Sequence, residues 1–93
     1  MSKMILRPYD PAEAIGTAEA AQRAGKSERC IRNWCMEHHL GRKISGHLAV
    51  SQVALDMHLA GDTGAMGDYL DGDRTADRVC VYYARRSLSV PST

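Results

Sequence analysis

The chain has 93 residues, enough for one domain with a modest core and no need of disulfide or metal staples. Twelve Lys and Arg against eleven Asp and Glu leave a formal net charge of +1, and three irregularly spaced cysteines cannot all pair, which points to reduced thiols in a cytoplasmic setting. No apolar run is long enough for a signal peptide or a membrane span, and no glycine-rich phosphate loop or nucleophile beside a base is present, so no membrane partner and no enzyme are expected.

Residues 1–16 read as an extended arm. Met4-Ile5-Leu6 suits a short extended segment, and Pro8 and Pro11 oppose a helix. No function is assigned to this arm, although Lys3 and Arg7 are candidates to touch phosphate. Thr17 is expected to cap a helix from Ala18 to Ala24 on which Thr17, Ala20, Ala21 and Ala24 share one face, and an alanine face permits a close helix crossing.

Gly25 suits the left-handed close of a helix and Ser27 is a preferred N-cap, so Ala24-Gly25-Lys26-Ser27 is predicted to be a tight turn between two helices. Past the turn, Ile31, Trp34, Cys35 and His38 recur at helical spacing, while Arg29, Arg32, Asn33 and Met36 hold the same spacing on the opposite face. One face packs and the other offers donors. Arg forks onto guanine O6 and N7 or onto phosphate, Asn bonds adenine N6 and N7, and Glu28 at the first helical position suits a cytosine amino group. On periodicity alone, that face reads equally as the solvated side of a surface helix. His38 and His39 end the helix, where a cation is favoured.

Leu40 to Val50 holds two short β-prone runs around Ser45-Gly46, a hairpin signal. A hairpin carrying Arg42, Lys43, Ser45 and His47 directly after two helices and a turn reads as a wing, and it tips the balance toward DNA. Thr17, Arg23 and Ser27 complete the candidate DNA-binding set. Ser51 then caps a helix from Gln52 to Ala60 that is apolar on more than one face, either central to the core or shared with a partner.

The ordered series Thr17-Ala18-Glu19-Ala20-Ala21, Gly25-Lys26-Ser27, Arg29, Ile31-Arg32, Trp34, Gly46, Val50-Ser51 and Ala54-Leu55 resembles the winged helix-turn-helix of the excisionase and MerR-like group over residues 15 to 60. Cys30 departs from it, where the family usually carries Thr. The resemblance implies a mainly α fold with a small β-hairpin, a winged helix-turn-helix over 17–61, double-stranded DNA as partner and no cofactor. For the excisionase type it further implies tandem binding at an attachment site, bending of the DNA, and steering of a tyrosine integrase toward excision. A transcription regulator on the same fold is the alternative. A MerR-type activator would continue into a long dimerisation helix, whereas only a short helical stretch follows here. Use as a protein adaptor is a third reading, and it predicts no salt-dependent binding to duplex DNA.

The small net charge hides an asymmetry. Residues 22–47 hold six basic groups (Arg23, Lys26, Arg29, Arg32, Arg42, Lys43) against Glu28 and Glu37, a net +4, and residues 59–77 hold five Asp against Arg74, a net −4. In that acidic stretch Leu59-Ala60-Gly61-Asp62 is echoed by Leu70-Asp71-Gly72-Asp73, each Gly ending a helix and each Asp capping the next. The last helix is predicted over 75–86, with Ala76, Val79, Cys80 and Tyr83 on one face, although Val79 to Tyr83 also has strand propensity. Asp62, Asp68, Asp71 and Asp73, with Val79, Tyr82 and Tyr83 behind them, are expected to make 62–86 a helical extension for head-to-tail self-association on DNA. The competing use of that segment is packing on its own domain. Residues 87–93 are expected to be a flexible tail.

Cys30, Cys35, His38 and His39 invite a metal reading, but on one helix these side chains point around the cylinder instead of converging, so no metal site is expected.

Overall fold

The computed structural model describes residues 5–6 and 9–90. Met4, Lys3, Arg7 and the end of the tail lie outside the described residues. The chain runs β1 (Ala14–Ile15), α1 (Thr17–Ala24), α2 (Glu28–His38), β2 (Gly41–Ile44), β3 (His47–Ser51), α3 (Gln52–Ala60), α4 (Thr63–Leu70) and α5 (Asp77–Arg85). It is mainly α, with a small antiparallel sheet in the order β1-β3-β2.

Local chemistry sets most of these boundaries. α1 ends at Gly25, left-handed at φ 67°, and α2 starts where the Ser27 hydroxyl accepts from the Cys30 amide at 3.1 Å. β2 and β3 pair from Gly41 with Val50 to Ile44 with His47. The turn between them places Ser45 and Gly46 at φ 51° and 82°, the left-handed pair whose twist matches the strands. Gly41 answers a close approach: a Cβ there would stand 2.2 Å from the Ala49 carbonyl oxygen and 3.1 Å from the Cys35 Sγ. α3 starts at the Ser51 hydroxyl, which accepts from the Ala54 amide, and α4 at Asp62, which accepts from the Ala65 amide.

α3 is apolar on most of its circumference because it is surrounded. Val53, Ala54, Leu55 and Met57 are fully buried, and α1, α4, α5 and β3 all pack on it. Ala20, Ala21, Ile31, Cys35, Leu40, Tyr69, Val79 and Tyr83 join the same core, each large apolar side chain contributing about 1.5 to 3 kcal/mol by leaving water.

Several expectations are corrected. Residues 62–86 do not stand apart from 17–61, since α4 and α5 close the core over α3; Val79, Tyr82 and Tyr83, expected to face a neighbour, are 0 %, 5 % and 0 % exposed. The described part of the 1–16 arm is likewise tied in, because β1 pairs with β3 and Ile5 and Leu6 are buried. Leu88 and Val90 pack on the core where a loose tail was expected. Thr17 lies within α1, whose N-cap is Gly16 without a side-chain bond. α5 begins at Asp77 behind Ala76, and Asp73 serves the turn ahead of it, accepting from the Thr75 and Ala76 amides.

A buried polar node, centred on Glu13, holds these pieces together. Its carboxylate accepts from the hydroxyls of Ser51 (2.5 Å), Tyr83 (2.7 Å) and Tyr69, and the Tyr69 oxygen also accepts from the Leu6 amide at 3.1 Å. Burial, then the Glu13 charge, raises the Tyr69 phenol far above its ordinary range. Burial, then Tyr69 and Glu13, does the same to Tyr83, so both stay protonated and donate. The Arg74 guanidinium lies over the Tyr69 ring, 3.7 Å from its centroid, and donates to the Tyr69 carbonyl.

Candidate nucleic-acid interface

α2 is two-sided. Ile31 and Cys35 are buried and Trp34 half-buried, while Arg29, Arg32, Asn33 and Met36 are exposed. Burial pushes the Cys35 thiol up to about 11, which leaves it a packing group and not a thiolate. The side chains of Arg29, Arg32, Asn33 and Lys26 have no hydrogen bond or ion pair among the described residues. His38, expected on the packed side, is exposed, because α2 reaches its last turn there and His39 takes the left-handed cap at φ 58°.

The first turn of α2 meets α1. The Thr17 hydroxyl donates to Glu28 Oε1 at 2.8 Å, so Thr17, Ser27 and Glu28 form one cluster, with Ser27 spent on the helix cap and Glu28 partly satisfied by Thr17. Arg23 turns inward: Nη1 donates to Gln52 Oε1 at 2.8 Å, Nη2 pairs with Glu19, and Gln52 in turn donates to the Ala12 carbonyl. On the hairpin, Lys43, Ser45 and His47 are exposed. Arg42 is half-buried and donates to the carbonyls of Ile5 (3.1 Å) and Leu6 (2.9 Å). Arg23 and Arg42 therefore tie the fold together, and the lysines and arginines without a side-chain partner among the described residues are Lys26, Arg29, Arg32 and Lys43.

Several of the acidic residues are also occupied. Asp68 pairs with Arg78, and Asp62 accepts from the Tyr82 hydroxyl at 3.0 Å as well as from the Ala65 amide; those two bonds hold its carboxyl below the usual range. Asp56 receives two bonds from Arg86 at 2.7 Å. Asp71, Asp73 and Asp77 are exposed.

At the far end of α2 lies a cleft of about 330 Å³ between the helix end, α3 and α4, floored by Met57, Met66 and Leu70. Beside it the His58 ring sits 4.5 Å from the Trp34 ring and 4.7 Å from the His38 ring, centroid to centroid. Partial burial, then the neighbouring His38, holds the His58 pKa below its ordinary value. Neither this ring cluster nor the Glu13 node was foreseen, because residues brought together from distant elements leave no periodic pattern in the sequence. No group of three or more His, Cys, Asp or Glu able to hold a metal occurs among the described residues, nor does any helix there long and apolar enough to cross a membrane.

No protein-family model matches the chain, and no curated protein or solved structure matches it either.

Proposed function

We propose that this chain is a winged helix-turn-helix protein that reads double-stranded DNA through α2, rests its β2–β3 hairpin on the phosphate backbone as the wing, and acts as an architectural recombination factor of the excisionase type. One observation supports the DNA reading above all. Every other arginine among the described residues has a partner: Arg23, Arg78 and Arg86 a carboxylate, Arg42 two carbonyls, Arg74 and Arg85 a tyrosine ring. Arg29 and Arg32 have none, and they share one exposed face with Asn33. Guanidiniums left open on a short helix suit guanine edges or phosphates, and Asn33 suits adenine. Lys43 and His47 supply backbone contacts, which position the protein without reading sequence.

The recombination role rests on the resemblance over residues 15 to 60. One α2 covers only a few base pairs, so tandem protomers are needed for specificity in a genome. With Val79, Tyr82 and Tyr83 committed to the core, the contact to a neighbour falls to exposed groups such as Asp71 and Asp77 against its basic flank, a head-to-tail arrangement.

The test is binding to duplex DNA across a salt series, followed by footprinting on attachment-site DNA and an excision assay with the tyrosine integrase of the same element. Salt-dependent tandem protection and stimulated excision are expected. Promoter repression with no effect on excision would move the role to transcription control, and salt-independent or absent binding would overturn the DNA reading.

A further inference from the structure

Met36 is 80 % exposed, far more than any other large apolar side chain among the described residues. A single apolar group in water is common on protein surfaces and by itself means little. Its place is what matters. Met36 follows Arg29, Arg32 and Asn33 at i+7, i+4 and i+3, so it continues their face one turn further along α2. That face is rich in unpartnered donors, and the thioether is the one member with nothing to offer a phosphate. Within the major groove, the apolar feature that base pairs present is the thymine 5-methyl group. A flexible, unbranched, polarizable side chain adapts to such a small target better than a branched one.

We propose that Met36 is a specificity-determining residue that packs on the 5-methyl group of a thymine in the bound DNA. The inference rests on the DNA reading above. Met36 lies seven positions beyond Arg29, a length of about 10 Å at a rise of about 1.5 Å per residue. At about 3.4 Å per base step, that places the thymine roughly three steps from the guanine taken by Arg29. The site thereby gains a fixed direction, with a purine read by charge at one end and a methyl group read by contact at the other.

The experiment uses the full chain and a duplex selected from a random-sequence pool. Each thymine is replaced in turn by deoxyuridine, which removes only the methyl group, and each guanine by 7-deazaguanine, which removes the N7 acceptor. Binding is measured by fluorescence anisotropy for wild type, Met36→Ala, Met36→Leu and Arg29→Ala. The expected result is one thymine whose replacement weakens wild type about four-fold, the worth of one buried methyl group. It should lie about three steps from the guanine whose deaza replacement harms wild type but not Arg29→Ala. Met36→Ala should bind the thymine duplex about four-fold more weakly and no longer distinguish deoxyuridine. Met36→Leu should keep the distinction. Because Met36 makes no contribution to the core, circular dichroism and thermal melting should be unchanged in both variants.

Wild type that binds its duplex yet ignores deoxyuridine at every position overturns the assignment and leaves the DNA reading standing. A deoxyuridine penalty that persists in Met36→Ala does the same. Variants with unaltered DNA binding but lost self-association or integrase binding would show Met36 to be a protein contact, again overturning it. If wild type binds no duplex in a salt-dependent way, both readings fall together.

Discussion

Arg29, Arg32 and Asn33 stand in water with their donors unused among the described residues, whereas Glu13, 1 % exposed, accepts from three hydroxyls drawn from β3, α4 and α5. Both groups are strongly polar, and solvent decides their roles. A carboxylate taken out of water costs several kcal/mol unless hydrogen bonds replace its hydration, so Glu13 is tolerable only inside its ring of donors, and that ring makes it a clamp. The α2 donors keep their hydration, add nothing to the fold, and remain available for a partner. Stability is thus carried by residues other than those proposed to read DNA, and substitutions should separate the two roles.

The largest effect is expected at the clamp. Glu13→Ala strips an acceptor from Ser51, Tyr69 and Tyr83 and should cost about 3 to 5 kcal/mol in urea unfolding, with Glu13→Gln recovering part by keeping one acceptor. An unchanged urea midpoint for Glu13→Ala would show the node to be incidental. Trp34 is intermediate in burial, half-buried with its ring in a T-shaped contact with His58. Trp34→Ala should cost about 2 kcal/mol, less than for a fully buried tryptophan, and the wild-type fluorescence should be that of a partly shielded indole. A cost above the fully buried range would mean that the ring carries more of the core than its exposure indicates.

On the face proposed to read DNA the pattern reverses. Arg29→Ala, Arg32→Ala and Asn33→Ala should each lose about 1 to 3 kcal/mol of binding at a selected duplex and far less on random DNA. Their unfolding free energies should stay within about 0.5 kcal/mol of wild type. Equal losses on both DNAs would demote the residue to a phosphate contact. Lys43→Ala should weaken all duplexes alike and lower the salt slope by about one. Arg42→Ala sharpens the contrast, because its bonds to the Ile5 and Leu6 carbonyls predict a loss of stability as well.

The smallest effect is expected with pH. The folded chain holds the His58 pKa below 6.5, through burial and then His38, so the unfolded chain takes up that proton first as the solution is acidified. His58 therefore supports the fold fully above its ordinary pKa, and its contribution falls away as pH drops through 6.5 toward the depressed folded value. Thermal melting between pH 7.5 and about pH 5 should show a shallower decline in His58→Gln than in wild type; parallel declines would remove His58 from the account.

Much of the local architecture was legible because it depends on neighbours in sequence. Ser27, Ser51 and Asp62 cap the helices expected of them, Ser45-Gly46 makes the expected hairpin turn, and the packed and open faces of α2 follow from a 3.6-residue period. What escaped depends on partners far apart. Glu13 lies 38, 56 and 70 positions from its three hydroxyl donors, and Arg42 lies 36 and 37 from its carbonyls. No window on the sequence contains such a pair, so Arg42 read as one more cation on a basic hairpin. Tyr82 and Tyr83 misled for a related reason: residues adjacent on a helix point about 100° apart, yet both are buried because α5 lies in the angle between α3 and α4, with Tyr82 reaching Asp62 and Tyr83 reaching Glu13.

The bond from Tyr83 to Glu13 spans 70 positions, and it has a consequence for how the chain is made. At a synthesis rate of about 10 residues per second, Glu13 is joined to the growing polypeptide roughly seven seconds before Tyr83. During that interval its carboxylate lacks the Tyr83 hydroxyl, and α3 and α4 lack the packing that α5 supplies. The core beneath α2 is therefore closed only when α5 arrives, so a ribosome-bound nascent chain lacking α5 should remain open to proteases and chaperones.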